Sequence, residues 1–348
     1  MKQFRKNTVS FHLGIRCLLT KEEYDILNQK IDVFLYEDYP VFEDDFLFEE
    51  RLCNIIIENL YPINQGHEVL YHFKLTLGQN KSVEYSLEIL KMFRDKYSKY
   101  LQDILEDNQI IFEQGKDIDD KSYFDSRTSI IHMKMFQNIS DVLTLIHEFI
   151  HFTNTRKEYI NSTTSYYTEC FSIFSELLAK DYIVKKYPKY EKDVLKEHKN
   201  NFITLYQDNI CLKVILELLK KKINGIQINQ YELHEIMKTI YQYQPDPELI
   251  NTIFGTVISE VLEEDQYSFE DTYILHTRNT VGLVLACYMY EMKKNDIWNL
   301  NDILYQMNTN QVLTYLDLEF NKDKVFDLTE ESYKKLEKSY KNSLKNLW

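Results

Sequence analysis

A mainly α-helical chain with one short strand is what this sequence predicts, and three observations predict it. Glycine and proline number only 7 and 5 in 348 residues, far below the roughly 7% and 5% of average usage, which argues against turn-dense all-β folds. Apolar residues recur at three- and four-residue intervals along most of the chain. One segment, Ser129-Ile-Ile-His-Met-Lys-Met135, alternates as a strand does. Hydrophobic residues make up 44% of the chain, enough to bury a core, and no low-complexity tract suggests a disordered region.

Taken in order, Thr20 and Glu23 form a capping box ahead of Tyr24, Leu27, Ile31 and Phe34, which share one helical face. The theme returns from Asp45 to Tyr61. Beyond Pro62 to Gly66 and a short apolar run near Gly78, the residues Leu87, Leu90, Phe93, Tyr97, Leu101 and Leu105 predict one helix of roughly six turns. Polar residues, Gly115 and the acidic run Asp117 to Asp120 then break the pattern up to Arg127, and the strand follows. Asn138 or Ser140 caps the next helix, which carries Val142, Leu145, Ile146, Phe149 and Ile150. After a loop rich in serine and threonine from Asn161 to Thr164, helices are predicted from Tyr167 to Tyr187, Tyr190 to Lys222, Gln230 to Tyr243, Pro247 to Glu264, Glu270 to Lys293 and Thr329 to Leu347. The one proposed boundary falls within Pro62 to Ser82 and divides a helical region, 1–81, from the remainder, 82–348.

With 41 basic and 55 acidic residues the formal charge is -14, which repels a phosphate backbone and argues against dedicated nucleic-acid binding. Neutral or cationic partners fit better. Cys17, Cys53, Cys170, Cys211 and Cys287 are widely spaced, odd in number and without a C-x-x-C pair, as expected of a reducing cytoplasm. The basic start runs into polar residues rather than an apolar block, so no signal peptide is read. The longest uncharged apolar stretch, Val281 to Tyr290, is about half the roughly 20 residues that span a bilayer, so no membrane segment is expected. No oligomeric state follows from the sequence.

The chemistry-bearing segment is His147-Glu148-Phe149-Ile150-His151, an H-E-x-x-H pattern inside an apolar helix. Two histidines one turn apart lie within about 40° of the same helical line, so both imidazoles reach one zinc ion. Glu148 lies about 100° away, where it faces a reacting water without ligating the metal. A five-residue match of this kind arises by chance about once in fifty such chains, so context decides. The context is an apolar helix that needs a reason to bury two histidines and a carboxylate, with a further acid downstream. Glu169 is that acid and the preferred third ligand, with Glu176, two turns later on the same face, as its rival or as the carboxylate that orients a histidine. His67, Glu68 and His72 have the wrong spacing for one face, and Cys170 reads as a buried, inert thiol.

Three segments resemble, in order, the catalytic core of the thimet oligopeptidase and oligoendopeptidase F family of zinc peptidases. They are the strand Ser129 to Met135, the run Asp141-Val-Leu-Thr-Leu-Ile-His-Glu148, and Glu169-Cys-Phe-Ser-Ile-Phe-Ser-Glu176. The match covers Ser82 to Lys180. It implies a helical zincin-type fold, a zinc ion held by His147, His151 and Glu169, and a sheet edge at Ile131, His132 and Met133 that pairs with the substrate backbone. Oligopeptides are then the expected substrates, and 82–348 the catalytic domain. Tyr273-Ile-Leu-His276 resembles the family's substrate-contacting segment, but Thr280, Gly282 and Val284 stand where tyrosines are expected, leaving Tyr288 and Tyr290 as substitutes. Ile150 and Asn154 replace the family's glycine and histidine around His151, and the loop before Glu169 is shorter. The implied mechanism has zinc acidify its water toward a pKa of about 7, Glu148 take the proton and pass it to the leaving amine, and His276, Tyr288 or Tyr290 donate to the oxyanion. A protease for one specific protein, or a peptide-binding pseudo-enzyme, is the alternative reading.

Overall fold

A computed structural model describes residues 19–37, 49–59, 73–116, 121–155, 165–243, 247–262, 269–293, 318 and 329–345. The helices are α1 (Lys21–Glu37), α2 (49–59), α3 (Gln79–Phe93), α4 (Asp95–Glu106), α5 (Ser140–Thr155), α6 (Ser165–Lys186), α7 (Glu191–Ile223), α8 (Gln230–Tyr243), α9 (Pro247–Leu262), α10 (Phe269–Lys293) and α11 (Glu330–Lys345). A three-stranded sheet of β1 (Ile110–Gln114), β2 (Tyr123–Asp125) and β3 (Ile130–Met135) completes the fold. Cys17, His67, Glu68, His72 and the loop Asn161 to Thr164 lie outside the described residues.

Two compact units divide the chain, the first of 1–67, 203–280 and 323–327, the second of 68–202, 281–322 and 328–348. In the first, the capping box forms as the sequence predicts: Thr20 N donates to Glu23 Oε2 at 2.6 Å and Glu23 N to Thr20 Oγ1 at 3.2 Å. It starts α1, which buries Leu27, Ile31 and Phe34. Phe34 packs its ring 5.2 Å from Phe269 and 5.5 Å from Tyr273 of α10.

The second unit departs from the sequence reading in three ways. The six-turn helix is two helices, because Arg94 is extended (φ -167°, ψ 136°) between α3 and α4. The apolar period runs through the break: Tyr85, Ile89, Leu90 and Phe93 are buried before it, and Tyr97, Leu101 and Ile104 after it. The polar stretch between Asp107 and Arg127 holds β1 and β2, short strands whose apolar residues Ile110, Ile111, Phe112, Tyr123 and Phe124 stand side by side and so show no alternation. The third departure concerns the expected substrate edge. The strand order is β1-β3-β2, with β3 parallel to β1 and antiparallel to β2. Ile131 is paired with both Ile110 and Phe124, His132 with both Ile111 and Tyr123, and Met133 with Phe112. An interior strand has spent its backbone groups on its neighbours, so Ile131 and His132 are not a free edge for substrate, and the side of Met133 that faces β1 is filled as well.

The link from β3 into α5 is fixed by one carboxylate. Asp141 in the first turn of α5 accepts from the backbone N–H groups of Phe136 (2.9 Å), Gln137 (2.8 Å) and Asn138 (3.3 Å). Asn138 supplies the cap, its Oδ1 accepting from Ser140 N at 2.7 Å. Below this junction α5 buries Val142, Leu143, Leu145, Ile146, Phe149, Ile150 and Phe152 against β2, β3, α3 and α6.

Candidate metal centre

α5 and α6 together place His147, His151, Glu169 and Glu176 in one cluster within the second unit. His147 and His151 lie one turn apart on α5, with their Nε2 atoms 2.9 Å from each other. Glu169 reaches across from α6: its Oε2 is 3.5 Å from His147 Nε2 and its Oε1 is 3.4 Å from His151 Nε2. A tetrahedral ion with donors at 2.0–2.1 Å needs those donors about 3.3 Å apart. The three separations of 2.9, 3.4 and 3.5 Å bracket that value, so the residues present fit a zinc ion.

The fourth member acts from behind. Glu176 Oε1 lies 2.6 Å from His147 Nδ1, an arrangement in which Nδ1–H donates to the carboxylate and Nε2 presents its lone pair toward Glu169. Glu176 is held in turn by Lys180 Nζ at 3.4 Å and Asn201 Nδ2 at 3.1 Å, both on its Oε2. Burial alone pushes the Glu176 carboxyl up, but Lys180 and His147 outweigh it and the net shift is downward. Burial likewise raises Glu169, and His151 and His147 more than reverse it, taking it well below the usual carboxylate range. Burial lowers His147, yet Glu169 and Glu176 lift it well above the ordinary imidazole value. The cluster therefore attracts positive charge.

Glu148 is buried at 8% exposure and makes no hydrogen bond or ion pair among the described residues. Tyr290 donates its hydroxyl to Asp181 at 2.5 Å, and Asp181 stands twelve residues beyond Glu169 on α6, about 18 Å of helix. That commitment removes Tyr290 from the oxyanion role given to it. Tyr288 is buried in α10. His276 belongs to the first unit, with Nε2 3.0 Å from Glu260 Oε2 and Nδ1 3.8 Å from Asp208 Oδ1. His132 stacks on Tyr123 with ring centroids 4.6 Å apart. Cys170 is fully buried, which with nearby Cys287 pushes its thiol well up, as an inert thiol requires.

Lys180, Asn201 and Gly282 are the site's neighbours that the sequence did not reveal. Lys180 carried a signal, since it follows Glu176 by one helical turn. Asn201 carried none. Gly282 was visible only as a glycine inside a helix, which costs about 1 kcal/mol relative to alanine and so asks for a packing reason.

Neither a family model nor a curated protein sequence matches the chain. Two solved structures match its fold. One, named "putative peptidase from Chlamydophila abortus", superposes with a TM-score of 0.61 at 12% identity, covering 94% of this chain and 62% of its own. The other, PZ peptidase A with an inhibitor, gives a TM-score of 0.55 at 13% identity, covering 97% of this chain and 61% of its own. The chain has the helical zincin-like fold of these peptidases. It spans about three fifths of their length.

Proposed function

We propose that the chain is a zinc-dependent endopeptidase acting on oligopeptides, akin to the thimet oligopeptidase and oligoendopeptidase F family, with its catalytic machinery from Ser82 onward. The observation that carries this reading is the His147, His151 and Glu169 cluster, with Glu176 fixing the His147 tautomer. The shared fold with two peptidases supports it. His147, His151 and Glu169 hold the ion, which when bound supplies Lewis acidity toward a carbonyl and a water made acidic near neutral pH. Glu148 takes a proton from the attacking water and returns it to the departing amine. Of the oxyanion donors named from the sequence, Tyr288 lies in the same unit as the cluster and is the one proposed. The cytoplasm is the proposed compartment, on cysteine usage; among the described residues no helix is long and apolar enough to cross a membrane.

The test is digestion of a mixed quenched-fluorescent peptide pool by the wild type and by Glu148→Gln, with zinc content measured on both. Zinc in both, with turnover lowered by about 10²–10⁴-fold in the variant, is the expected result. Equal turnover in the two proteins rejects Glu148 as the base, and turnover in neither rejects the peptidase reading.

A further inference from the structure

Gly282 lies where α10 meets α6. A Cβ built at this position would sit 2.7 Å from Glu169 Cβ, 3.1 Å from Cys170 N and 3.2 Å from Glu169 C. Two of those three atoms are backbone, which no side-chain rotation moves aside. Gly255, also inside a helix, would place a Cβ with nothing within 4 Å among the described residues. The missing methyl therefore serves a specific contact at Gly282 and none at Gly255.

Both helices are closely packed beside this contact. Leu285, Ala286, Cys287 and Met289 of α10 are fully buried, and Met289 Sδ already touches Cys170 Sγ at 3.2 Å. Glu169 is 7% exposed, and its carboxylate reaches His147 and His151. Restoring an ordinary contact of 3.4 Å from 2.7 Å would open the seam by about 0.7 Å at the Cβ of the third ligand. A metal–ligand distance tolerates about 0.2 Å. The displacement exceeds the tolerance severalfold, so the side chain of Glu169 would have to re-extend to regain the ion.

We propose that Gly282 is a positioning residue for the metal centre: its lack of a side chain lets α10 seat directly on Glu169 and sets the reach of that carboxylate toward His147 and His151. The proposal rests on the metal reading given above.

The test compares wild type, Gly282→Ala and Gly255→Ala in three measurements: zinc affinity by chelator competition, the visible absorption of the Co²⁺-loaded protein, and thermal unfolding followed by circular dichroism. Gly282→Ala is expected to bind zinc about 10-fold more weakly or worse and to show an altered cobalt spectrum, while Gly255→Ala matches the wild type in both. A Gly282→Ala protein that melts earlier but keeps wild-type affinity and spectrum overturns the proposal, since that is what mere packing damage does. If Gly282→Ala does not fold, Ala286→Val, one turn along the same helix, takes its place. A severalfold loss of zinc affinity in the folded variant supports the proposal, and an unchanged affinity overturns it. Wild-type protein that binds neither ion overturns the metal reading and this proposal together; failure of the variants alone to respond overturns only the latter.

Discussion

His147 has one ring nitrogen tied to Glu176 and the other turned toward Glu169 and His151. Removing the tie by Glu176→Ala frees the ring to choose either tautomer and leaves the buried Lys180 ammonium without the carboxylate it faces. Zinc affinity should then fall about 10- to 100-fold in a chelator competition, with Glu176→Gln, which keeps an acceptor oxygen, falling less. Equal affinity across all three proteins would contradict the orienting role. His276 gives a pH prediction in the first unit. Burial depresses its pKa, but Asp208 on α7 and Glu260 on α9 outweigh that and raise it from 6.5 to about 9. The stabilisation is thus complete below about pH 6.5 and is lost as pH rises through about 9, with an upper bound near 3 kcal/mol. The stability gap between wild type and His276→Gln in urea unfolding should therefore shrink from pH 6.5 to pH 10; a gap that grows would refute the pairing. At this scale the sequence revealed what is local. H-E-x-x-H spacing follows from one helix, and the preference for Glu169 over Glu176, made on spacing, was strengthened by the family resemblance. Asn201 and Gly282 reach the cluster through tertiary packing, which no spacing rule encodes.

Helix existence was legible wherever one face is buried. The range Gln230–Tyr243 is the same in sequence and structure, and α6, α7 and α10 shift by only a residue or two at their described ends. The break at Arg94 was not legible, because no glycine or proline marks it and the buried positions keep a helical spacing across it. The strands β1 and β2 were not legible because they are short and their apolar residues, Ile110 to Phe112 and then Tyr123 and Phe124, stand side by side instead of alternating with polar ones. Finding them changed the role of β3 from edge to centre, which is why the expected substrate pairing at Ile131 and His132 failed. Gly255 offers a test on an element that contributes no residue to the metal cluster. Its position in α9 is open among the described residues, so Gly255→Ala should gain roughly 1 kcal/mol of helix stability and raise the melting temperature by about 1–2 °C. A fall would show that α9 is more closely packed than described.

On the scale of the whole molecule, a chain that spans about three fifths of its structural matches, at 12% and 13% identity, shares their helical architecture. Fold alone does not carry activity. The proposed hydrolysis rests on the cluster of two imidazoles and one carboxylate, with a buried Glu148, unpartnered among the described residues, beside it in the helix. A net charge of -14 suits a site that gathers cations more than one that holds anions. The most direct test of the account is X-ray absorption at the zinc edge of the purified, zinc-loaded protein, with metal content determined on the same sample. The account predicts one zinc per chain, bound by two imidazole nitrogens and oxygen donors at about 2.0–2.2 Å and without sulfur, and no stoichiometric zinc in His147→Ala. A sulfur-containing shell, or full zinc content in His147→Ala, would contradict it.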